Sequence, residues 1–140
     1  MRYYVLVSHG TLAPGLHSAV GMMAGGRTDV LSTSLRDGMD VDAYKKEFEA
    51  LIVGVTPEDE IMLFGDIVGG SPMTAAMEVL TQKGLFDKTV TMGGMNLPLI
   101  INALFAPPAL SIKEAAQAAV ADARERLCVF EMAEDSEDDI

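Results

Sequence analysis

Histidine chemistry is the first possibility that this sequence raises. His9 follows an apolar segment, 3–7, and opens a loop, 8–15, that contains two glycines and one proline. A neutral imidazole is a nucleophile through one ring nitrogen, provided that the other nitrogen carries the proton and donates it to an acceptor. His9 is therefore a candidate nucleophile, whereas His17 lies farther along a predicted helix and is expected to be a surface residue.

A carboxylate that could orient His9 follows another predicted strand. Asp66 comes shortly after the apolar segment 60–64. A carboxylate that accepts a hydrogen bond from one ring N–H fixes the tautomer and stabilises the ring when it carries charge. The residues alone leave two interpretations equally open: a His9–Asp66 pair, or a loop histidine and a separate turn or cap aspartate.

Glycine-rich loops point to an anion. Gly69, Gly70 and Ser71 open a predicted helix, and free N–H groups at a helix N-terminus together with the helix dipole attract anions such as phosphate. Each glycine pair could also be a tight turn, but two pairs and a histidine at one edge of the sheet favour the anion site. Seven glycines are expected at this edge: Gly10, Gly15, Gly65, Gly69, Gly70, Gly93 and Gly94.

Other chemistries lack their motifs. The sequence has no Walker A phosphate loop, no dinucleotide-binding Gly-x-Gly-x-x-Gly after the first strand, and no Gly-x-Ser-x-Gly nucleophile elbow. Two histidines and scattered carboxylates give no metal-ligand spacing, so no metal and no cofactor are expected. The single cysteine, Cys128, lies in an apolar run and is expected to be a small buried side chain.

Strands and helices alternate along the chain, which indicates an α/β fold with an open, mostly parallel sheet and helices on both faces. Strands are predicted at 3–7, 30–35, 60–64, 89–92 and, as a possible edge, 127–131. Helices are predicted at 15–24, 42–53, 71–83, 96–105 and 111–126. Ser71 is expected to cap the third helix with Pro72 at its first position, Asn96 to cap the fourth, and Ser111 with Glu114 to form a capping box.

Ligands of open parallel sheets bind beyond the carboxyl ends of the strands. The loops that carry His9, Asp66 and Gly93 each follow a predicted strand, so we expect them to meet at one edge.

The net charge and the hydropathy of the chain limit the classes of partner and the cellular locations that are expected. The formal net charge of −11 argues against nucleic acid and anionic membranes. The N-terminal apolar stretch is too short for a signal peptide, and no segment approaches the length of a membrane span, which favours a soluble protein of the cytoplasm. The chain is expected to form one domain over 1–131, followed by a frayed acidic tail over 132–140. Six acidic residues between 131 and 140 contribute to the charge: Glu131, Glu134, Asp135, Glu137, Asp138 and Asp139.

Three segments together carry a resemblance to a known family. They are Val-Ser-His-Gly-Thr-Leu-Ala-Pro-Gly at 7–15, Asp-Ile-Val-Gly-Gly-Ser-Pro at 66–72 and Gly-Met-Asn-Leu-Pro at 94–98. In this order, after the first, third and fourth strands, they resemble the enzyme IIA component of the mannose-family (mannose/fructose/sorbose/N-acetylgalactosamine) sugar phosphotransferase system.

The resemblance implies a role for each matching residue. His9 corresponds to the histidine that is phosphorylated on the ring nitrogen far from the backbone, and Asp66 to the carboxylate that orients it. The loop that hydrogen-bonds the phosphoryl oxygens corresponds to Gly69, Gly70 and Ser71. The residues expected near the active edge of the sheet are Ser8, Gly10, Thr11 and Asn96.

The family also implies a flavodoxin-like sheet of four parallel strands and a fifth, antiparallel strand exchanged between the subunits of a homodimer, for which 127–131 is the candidate. Phosphate would arrive from the small carrier protein HPr and leave to the IIB component, and the membrane components IIC and IID would be served indirectly. Two alternatives remain: the histidine phosphocarrier subunit of a dihydroxyacetone kinase, and a non-catalytic module that binds an anion at the same edge.

Overall fold

The computed structural model describes residues 1–133 of the chain. Four strands form one parallel sheet in the order β2-β1-β3-β4. The strands are β1 (Arg2–His9), β2 (Val30–Leu35), β3 (Glu60–Gly65) and β4 (Thr89–Met92). The helices are α1 (Leu12–Ala24), α2 (Val41–Leu51), α3 (Ser71–Gln82), α4 (Leu97–Leu104) and α5 (Ile112–Arg126), and a short 3-10 helix, Phe86–Lys88, precedes β4. The prediction of an α/β fold with a parallel sheet is confirmed.

The central strands are apolar throughout because both faces of the sheet are covered by helices. Successive side chains of β1 point to opposite faces, so Leu6 packs with α1, α4 and α5 while Val5 and Val7 pack with α2 and α3. All three side chains are fully buried. Burial of a side chain of this size contributes about 1.5–3 kcal/mol, so packing on both faces stabilises β1, the strand that ends at His9.

Helix α1 begins three residues earlier than predicted, at Leu12 rather than at residue 15. The hydroxyl of Ser8, which is fully buried, accepts a hydrogen bond from the N–H of Ala13 at 2.7 Å. Pro14 then lies in the first turn, where its missing N–H leaves no hydrogen bond unmade. Pro14 and Gly15 therefore belong to the helix and not to the loop.

The start of α3 differs from the prediction by one residue. Gly70, not Ser71, is the capping residue; its backbone is extended (φ −71°, ψ 159°), and no side chain caps this helix. Ser71 is thus the first helical residue, one position before Pro72. The side-chain cap of Asn96 on α4 and the Ser111–Glu114 capping box of α5 are confirmed.

The segment 127–131 pairs with none of the four strands within this single chain, so the fifth strand is not seen. Leu127, Val129 and Phe130 are 84%, 88% and 83% exposed, and Cys128 is exposed as well. The prediction of a buried Cys128 is therefore wrong, because the apolar side chains around it are themselves mostly exposed to solvent in this chain. The expected tail, 132–140, falls mainly on residues 134–140, which lie outside the described part.

Among residues 1–133, no helix is both long enough and apolar enough to cross a lipid bilayer.

Candidate functional site

The carboxyl ends of β1 and β3 lie side by side, and each contributes one side chain to the site. In the parallel register Val7 of β1 lies opposite Gly65 of β3. His9 is the last residue of β1 and Asp66 immediately follows β3, so the sheet itself brings the two residues together. The structure thus places His9 and Asp66 in contact, as the first of the two sequence interpretations requires.

Asp66 holds His9 at two points. One carboxylate oxygen, Oδ2, accepts hydrogen bonds from the backbone N–H of His9 at 2.9 Å and from Nδ1 of its ring at 2.9 Å. The other oxygen, Oδ1, accepts a hydrogen bond from the backbone N–H of Ile67 at 2.9 Å. The ring orientation is therefore set by the same carboxylate that fixes the backbone at the end of β1.

The ionisation of Asp66 decides the tautomer of His9. Burial by itself would raise the pKa of the Asp66 carboxyl, but the hydrogen bonds from the backbone and ring of His9 and from the Ile67 N–H outweigh it and place this pKa below its ordinary value. An ionised carboxylate can only accept, so Nδ1 carries the proton. In the neutral ring, the lone pair available for chemistry is then on Nε2. The side chain of Asp66 is 12% exposed and that of His9 is 46% exposed, so the ring is open to solvent while its partner is largely covered.

A tight turn follows Asp66. The N–H of Gly70 donates to the carbonyl of Ile67 at 3.1 Å, and Gly69, the third residue of the turn, has a φ of +79°. Val68, the second residue, has a negative φ, since no described residue other than glycine has a positive one. This combination is a type II turn, whose third position requires a residue that adopts positive φ without strain. The requirement explains Gly69.

Gly70 is required for a different reason. A Cβ atom at this position would lie 3.1 Å from Cε1 of the His9 ring and 3.2 Å from the carbonyl oxygen of Ile67. Cε1 lies between the two ring nitrogens, so the backbone of Gly70 forms a wall beside the imidazole. The absence of a side chain allows this close approach of main chain and ring.

The free backbone amides at this loop include those on either side of Gly70. The Gly70 N–H is used within the turn, whereas in the part of the chain that the structure describes, the N–H groups of Gly69 and Ser71 donate to no other backbone or side-chain group. Ser71 is the first residue of α3, where the helix dipole adds positive potential. The loop therefore offers unpaired N–H donors and a helix N-terminus next to His9.

Two of the expected edge residues have structural partners. Ser8 is fully buried and caps α1 through its hydroxyl, so its side chain does not reach the surface beside His9. The side chain of Asn96 accepts a hydrogen bond from the N–H of Leu99 at 2.8 Å and so caps α4.

The other two expected edge residues lie in the loop after β1. Gly10 has a φ of +58°, and its N–H donates to the carbonyl of Leu35 at 2.9 Å, which continues the pairing with β2. Thr11 is exposed at the N-cap position of α1, and its side chain makes no capping hydrogen bond.

Tyr44 was not identified from the sequence. It is fully buried on α2, and its hydroxyl donates to the carbonyl of Pro72 in the first turn of α3 at 2.8 Å. Burial raises the pKa of Tyr44 well above its ordinary value, and the negative charge of Asp66 raises it further. The phenol is therefore neutral and supports the start of α3. In the sequence it is indistinguishable from the other large side chains on the apolar face of α2.

His17 differs from its expectation as a surface residue. Its ring is half-buried, and Nδ1 lies 2.7 Å from the hydroxyl of Ser32 on β2. Within residues 1–133 there is no cluster of three or more histidine, cysteine or acidic side chains that could hold a metal ion.

Comparison with known proteins agrees with this geometry. The family model described as "PTS system fructose IIA component", where PTS denotes the phosphotransferase system, matches residues 3–120. The chain belongs to this family. It is a IIA component of the mannose family of the PTS, a family with a general phosphotransferase role whose members work with HPr and IIB proteins.

Individual relatives are distant in sequence. The PTS system fructose-specific EIIA component of Bacillus subtilis (strain 168) is 22% identical over 110 residues, which cover 79% of this chain and 73% of the relative. The mannose/sorbose-specific IIA subunit of Enterococcus faecalis superposes with a TM-score of 0.81 at 19% identity, covering 95% and 97% of the two chains. An EIIA component from Streptococcus agalactiae gives a TM-score of 0.78 at 18% identity, covering 93% and 98%. At such identities the solved structures support the fold alone.

The hydrogen bonds of Asp66 predict a pH-dependent contribution to stability. Replacing this carboxylate in Asp66→Asn should lower the free energy of unfolding at neutral pH by about 1.5–3 kcal/mol, the usual range for hydrogen bonds to a charged group. Because the folded-state pKa of Asp66 is depressed, its stabilisation is present above the ordinary aspartate pKa of about 3.9 and is lost as the pH falls through the folded-state value.

Urea unfolding of both proteins, followed by circular dichroism from neutral to acid pH, measures this difference. The two curves should converge in acid. A difference that stays constant as the pH falls would show that the charge on Asp66 does not stabilise the fold.

Proposed function

We propose that this protein is a phosphoryl carrier of the PTS that acts in the cytoplasm. It accepts a phosphoryl group from phospho-HPr on Nε2 of His9 and passes it to a IIB protein, which serves the membrane components IIC and IID in sugar uptake. The observation that carries the proposal is the His9 ring, with Nδ1 held by an ionised Asp66 and its other face open beside the backbone of Gly70.

The transfer step requires only the nucleophilic ring of His9 and the phosphorylated histidine of the donor. The lone pair of Nε2 attacks the phosphorus atom in line with the nitrogen of the donor histidine; the new N–P bond forms as the donor N–P bond breaks, and the electron pair of that bond returns to the donor ring. The proton on Nδ1 of His9 stays in place throughout, shared with Asp66. Rate acceleration then comes from positioning and from preorganised electrostatics.

Asp66 has two effects in this step. It keeps the ring in the tautomer whose Nε2 has a lone pair, and its negative charge stabilises the ring as positive charge develops on phosphorylation. The carboxylate also restricts the orientations that the ring can adopt, because the same oxygen accepts from the ring and from the backbone of His9.

The phosphoryl oxygens would be received by the loop that follows Asp66. The N–H groups of Gly69 and Ser71 have no other partner among the described residues, and α3 begins at Ser71. Donors of this kind stabilise charge on phosphoryl oxygens without reorganisation. In this proposal Gly70 contributes the space that lets the loop approach the ring.

We also propose that the domain of residues 1–131 forms a homodimer in which each subunit receives 127–131 of its partner as an antiparallel strand. The support is the exposure of Leu127, Val129 and Phe130 at the end of α5, since such a run of apolar side chains is seldom left uncovered.

His9→Ala is expected to abolish phosphorylation. After incubation with phosphoenolpyruvate, enzyme I and HPr, intact-protein mass spectrometry should show one added phosphoryl group on the unmodified protein and none on the variant. The matched control is His17→Ala, which removes the only other histidine and should be phosphorylated normally.

The added group should be acid-labile and base-stable, as phosphohistidine is, and should move to a IIB protein rather than to the nucleotide-binding subunit of dihydroxyacetone kinase. Phosphate retained by His9→Ala would refute the assignment, and a protein that only binds an anion would carry no covalent phosphate.

Asp66→Asn is expected to slow transfer to His9 by roughly 10²-fold, a loss typical of misplacing a catalytic group. Rapid-quench measurement of transfer from phospho-HPr gives the rate constant. Asp29→Asn serves as the control. Asp29 is also a largely covered aspartate with a depressed pKa, but it precedes β2 and so lies at the amino ends of the strands, away from His9. Equal rates for Asp66→Asn and the unmodified protein would remove Asp66 from the mechanism.

The dimer is tested by sedimentation equilibrium of the full chain and of a double variant, Val129→Asp with Phe130→Asp. The full chain should sediment as a dimer, and the variant should dissociate because charged side chains are costly in a buried strand. A monomeric full chain would rule out the strand exchange.

A further inference from the structure

Gly93 lies immediately after β4, and its backbone gives no reason for a glycine. Its φ lies outside the positive range, unlike that of its neighbour Gly94 at +64°. The reason is spatial: a Cβ atom at Gly93 would overlap Cγ2 of Val68, and the next nearest atoms, Cβ and Cα of Val68 at 3.4 and 3.6 Å, belong to the same residue. The side chain of Val68 thus occupies the space in which a side chain of residue 93 would lie.

Gly93 belongs to a segment that cannot readily move. Met92, the preceding residue, is 5% exposed and pairs with Phe64 in the sheet. Met95, two residues later, is 7% exposed, and its N–H donates to the carbonyl of Gly65 at 3.0 Å. The segment is therefore tied on both sides of Gly93 to β3, the strand that Asp66 immediately follows.

Val68 is the more exposed of the two residues in this contact. It is the second residue of the type II turn between Ile67 and Gly70, and its side chain is 76% exposed. A valine so exposed does not hold a turn by burial in the core. The side chain of Val68 instead lies against Gly93, at the end of β4.

We propose that Val68 and Gly93 act as a steric stop that sets the position of the turn beside His9. Both are positioning residues: neither touches the phosphoryl group, and they act through Gly69 and Gly70. The inference rests on the proposed function, since it concerns the rate at which His9 accepts phosphate, but the geometry of the stop can be tested independently.

The stop matters because the space between the turn and the ring is small. Gly70 already approaches Cε1 of His9 so closely that an added Cβ would lie at 3.1 Å, and the ring cannot retreat while Asp66 holds Nδ1. In this proposal a side chain at residue 93 displaces Val68 and, through it, Gly69, whose N–H donates to no other group among the described residues. Displacements of about 1 Å at a reacting centre can reduce rates by about 10²-fold.

The test compares four variants in single-turnover transfer from phospho-HPr: Gly93→Ala, Val68→Ala, the double variant with both changes, and Gly26→Ala. The last is the matched control, because Gly26 also lacks a positive φ and has open space around its α-carbon. The double variant relieves the overlap, since the nearest remaining side-chain atom of residue 68 would be Cβ, at an ordinary distance of 3.4 Å.

We expect Gly93→Ala to lower the maximal transfer rate by at least about tenfold with little change in the half-saturating concentration of phospho-HPr, and the double variant to recover most of that loss. Val68→Ala alone should lower the maximal rate moderately, because the turn loses its stop, and Gly26→Ala should match the unmodified protein. Urea unfolding checks that each variant is folded.

Three outcomes would overturn the proposal. The first is an unchanged maximal rate in Gly93→Ala; the second is a double variant as slow as Gly93→Ala. The third is a Val68→Ala variant that changes only the half-saturating concentration, which would make Val68 a contact for the donor protein. If Gly93→Ala does not fold, the maximal rate of Val68→Ala decides the question. An unchanged maximal rate in Val68→Ala would then refute the proposed stop.

The failure of the proposed function can be distinguished from the failure of this inference. A protein that accepts no phosphate at all contradicts the carrier proposal. The stop is then still tested by NMR of the His9 ring: its Hε1 resonance should shift in Gly93→Ala, return in the double variant and stay unchanged in Gly26→Ala. A resonance unaffected by Gly93→Ala would show that Gly93 does not position the turn against the ring.

Discussion

The hydrogen bonds of a single carboxylate hold the site together. Asp66 follows β3 and accepts from both the backbone and the ring of His9 at the end of β1. These two strands are neighbours at the centre of the sheet, where burial on both faces makes them rigid. The imidazole is consequently oriented by the neighbouring strand end, although nearly half of its surface is open to solvent.

Holding a charged group in a largely covered position has a cost that hydrogen bonds must offset. The carboxylate of Asp66 accepts three of them, all from groups within two residues of the two strand ends, and this is sufficient to keep its pKa below the ordinary value. An aspartate that stays ionised keeps Nδ1 protonated and leaves Nε2 as the reactive atom. The chemistry of the exposed ring is thus decided by the covered partner.

The glycines beside His9 serve three different physical purposes. Gly69 supplies the positive φ of a type II turn, Gly70 allows the main chain to approach the ring, and Gly93 leaves room for Val68. In the sequence they are equivalent members of glycine-rich loops. The loop places a turn, free amides and a helix N-terminus next to an oriented imidazole, an arrangement suited to an anion that arrives from solvent.

Local patterns in the sequence were sufficient for much of the fold and for the choice of candidate residues. Short apolar runs separated by helical periodicity predicted a mostly parallel sheet and, among five candidate strands, the four that the structure shows. The bounds of β2 and β4 are those expected, because the strand signal is local. The motifs around His9, Asp66 and Gly70 follow strand ends, so the sequence placed them at one edge of the sheet. The caps of α4 and α5 were likewise readable, since a capping residue and its partner are only three positions apart.

Contacts between distant segments were decided only in three dimensions. The sequence left the His9–Asp66 pair open, because nothing local specifies that one oxygen receives both the backbone and the ring. It placed the start of α1 too late, since the buried hydroxyl of Ser8 rather than a residue next to the helix satisfies the Ala13 N–H. It assigned Cys128 to a core that the single chain does not build around it.

The sequence by itself determined the residue types, their order along alternating elements and hence the edge of the sheet at which they meet, because periodicity and turn chemistry act over a few residues. The tertiary structure alone decided the tautomer of His9 and the support from Tyr44, and it gave Gly93 its role beneath Val68. Each of these depends on how closely two segments approach, and that distance is set by packing of the whole sheet and its helices.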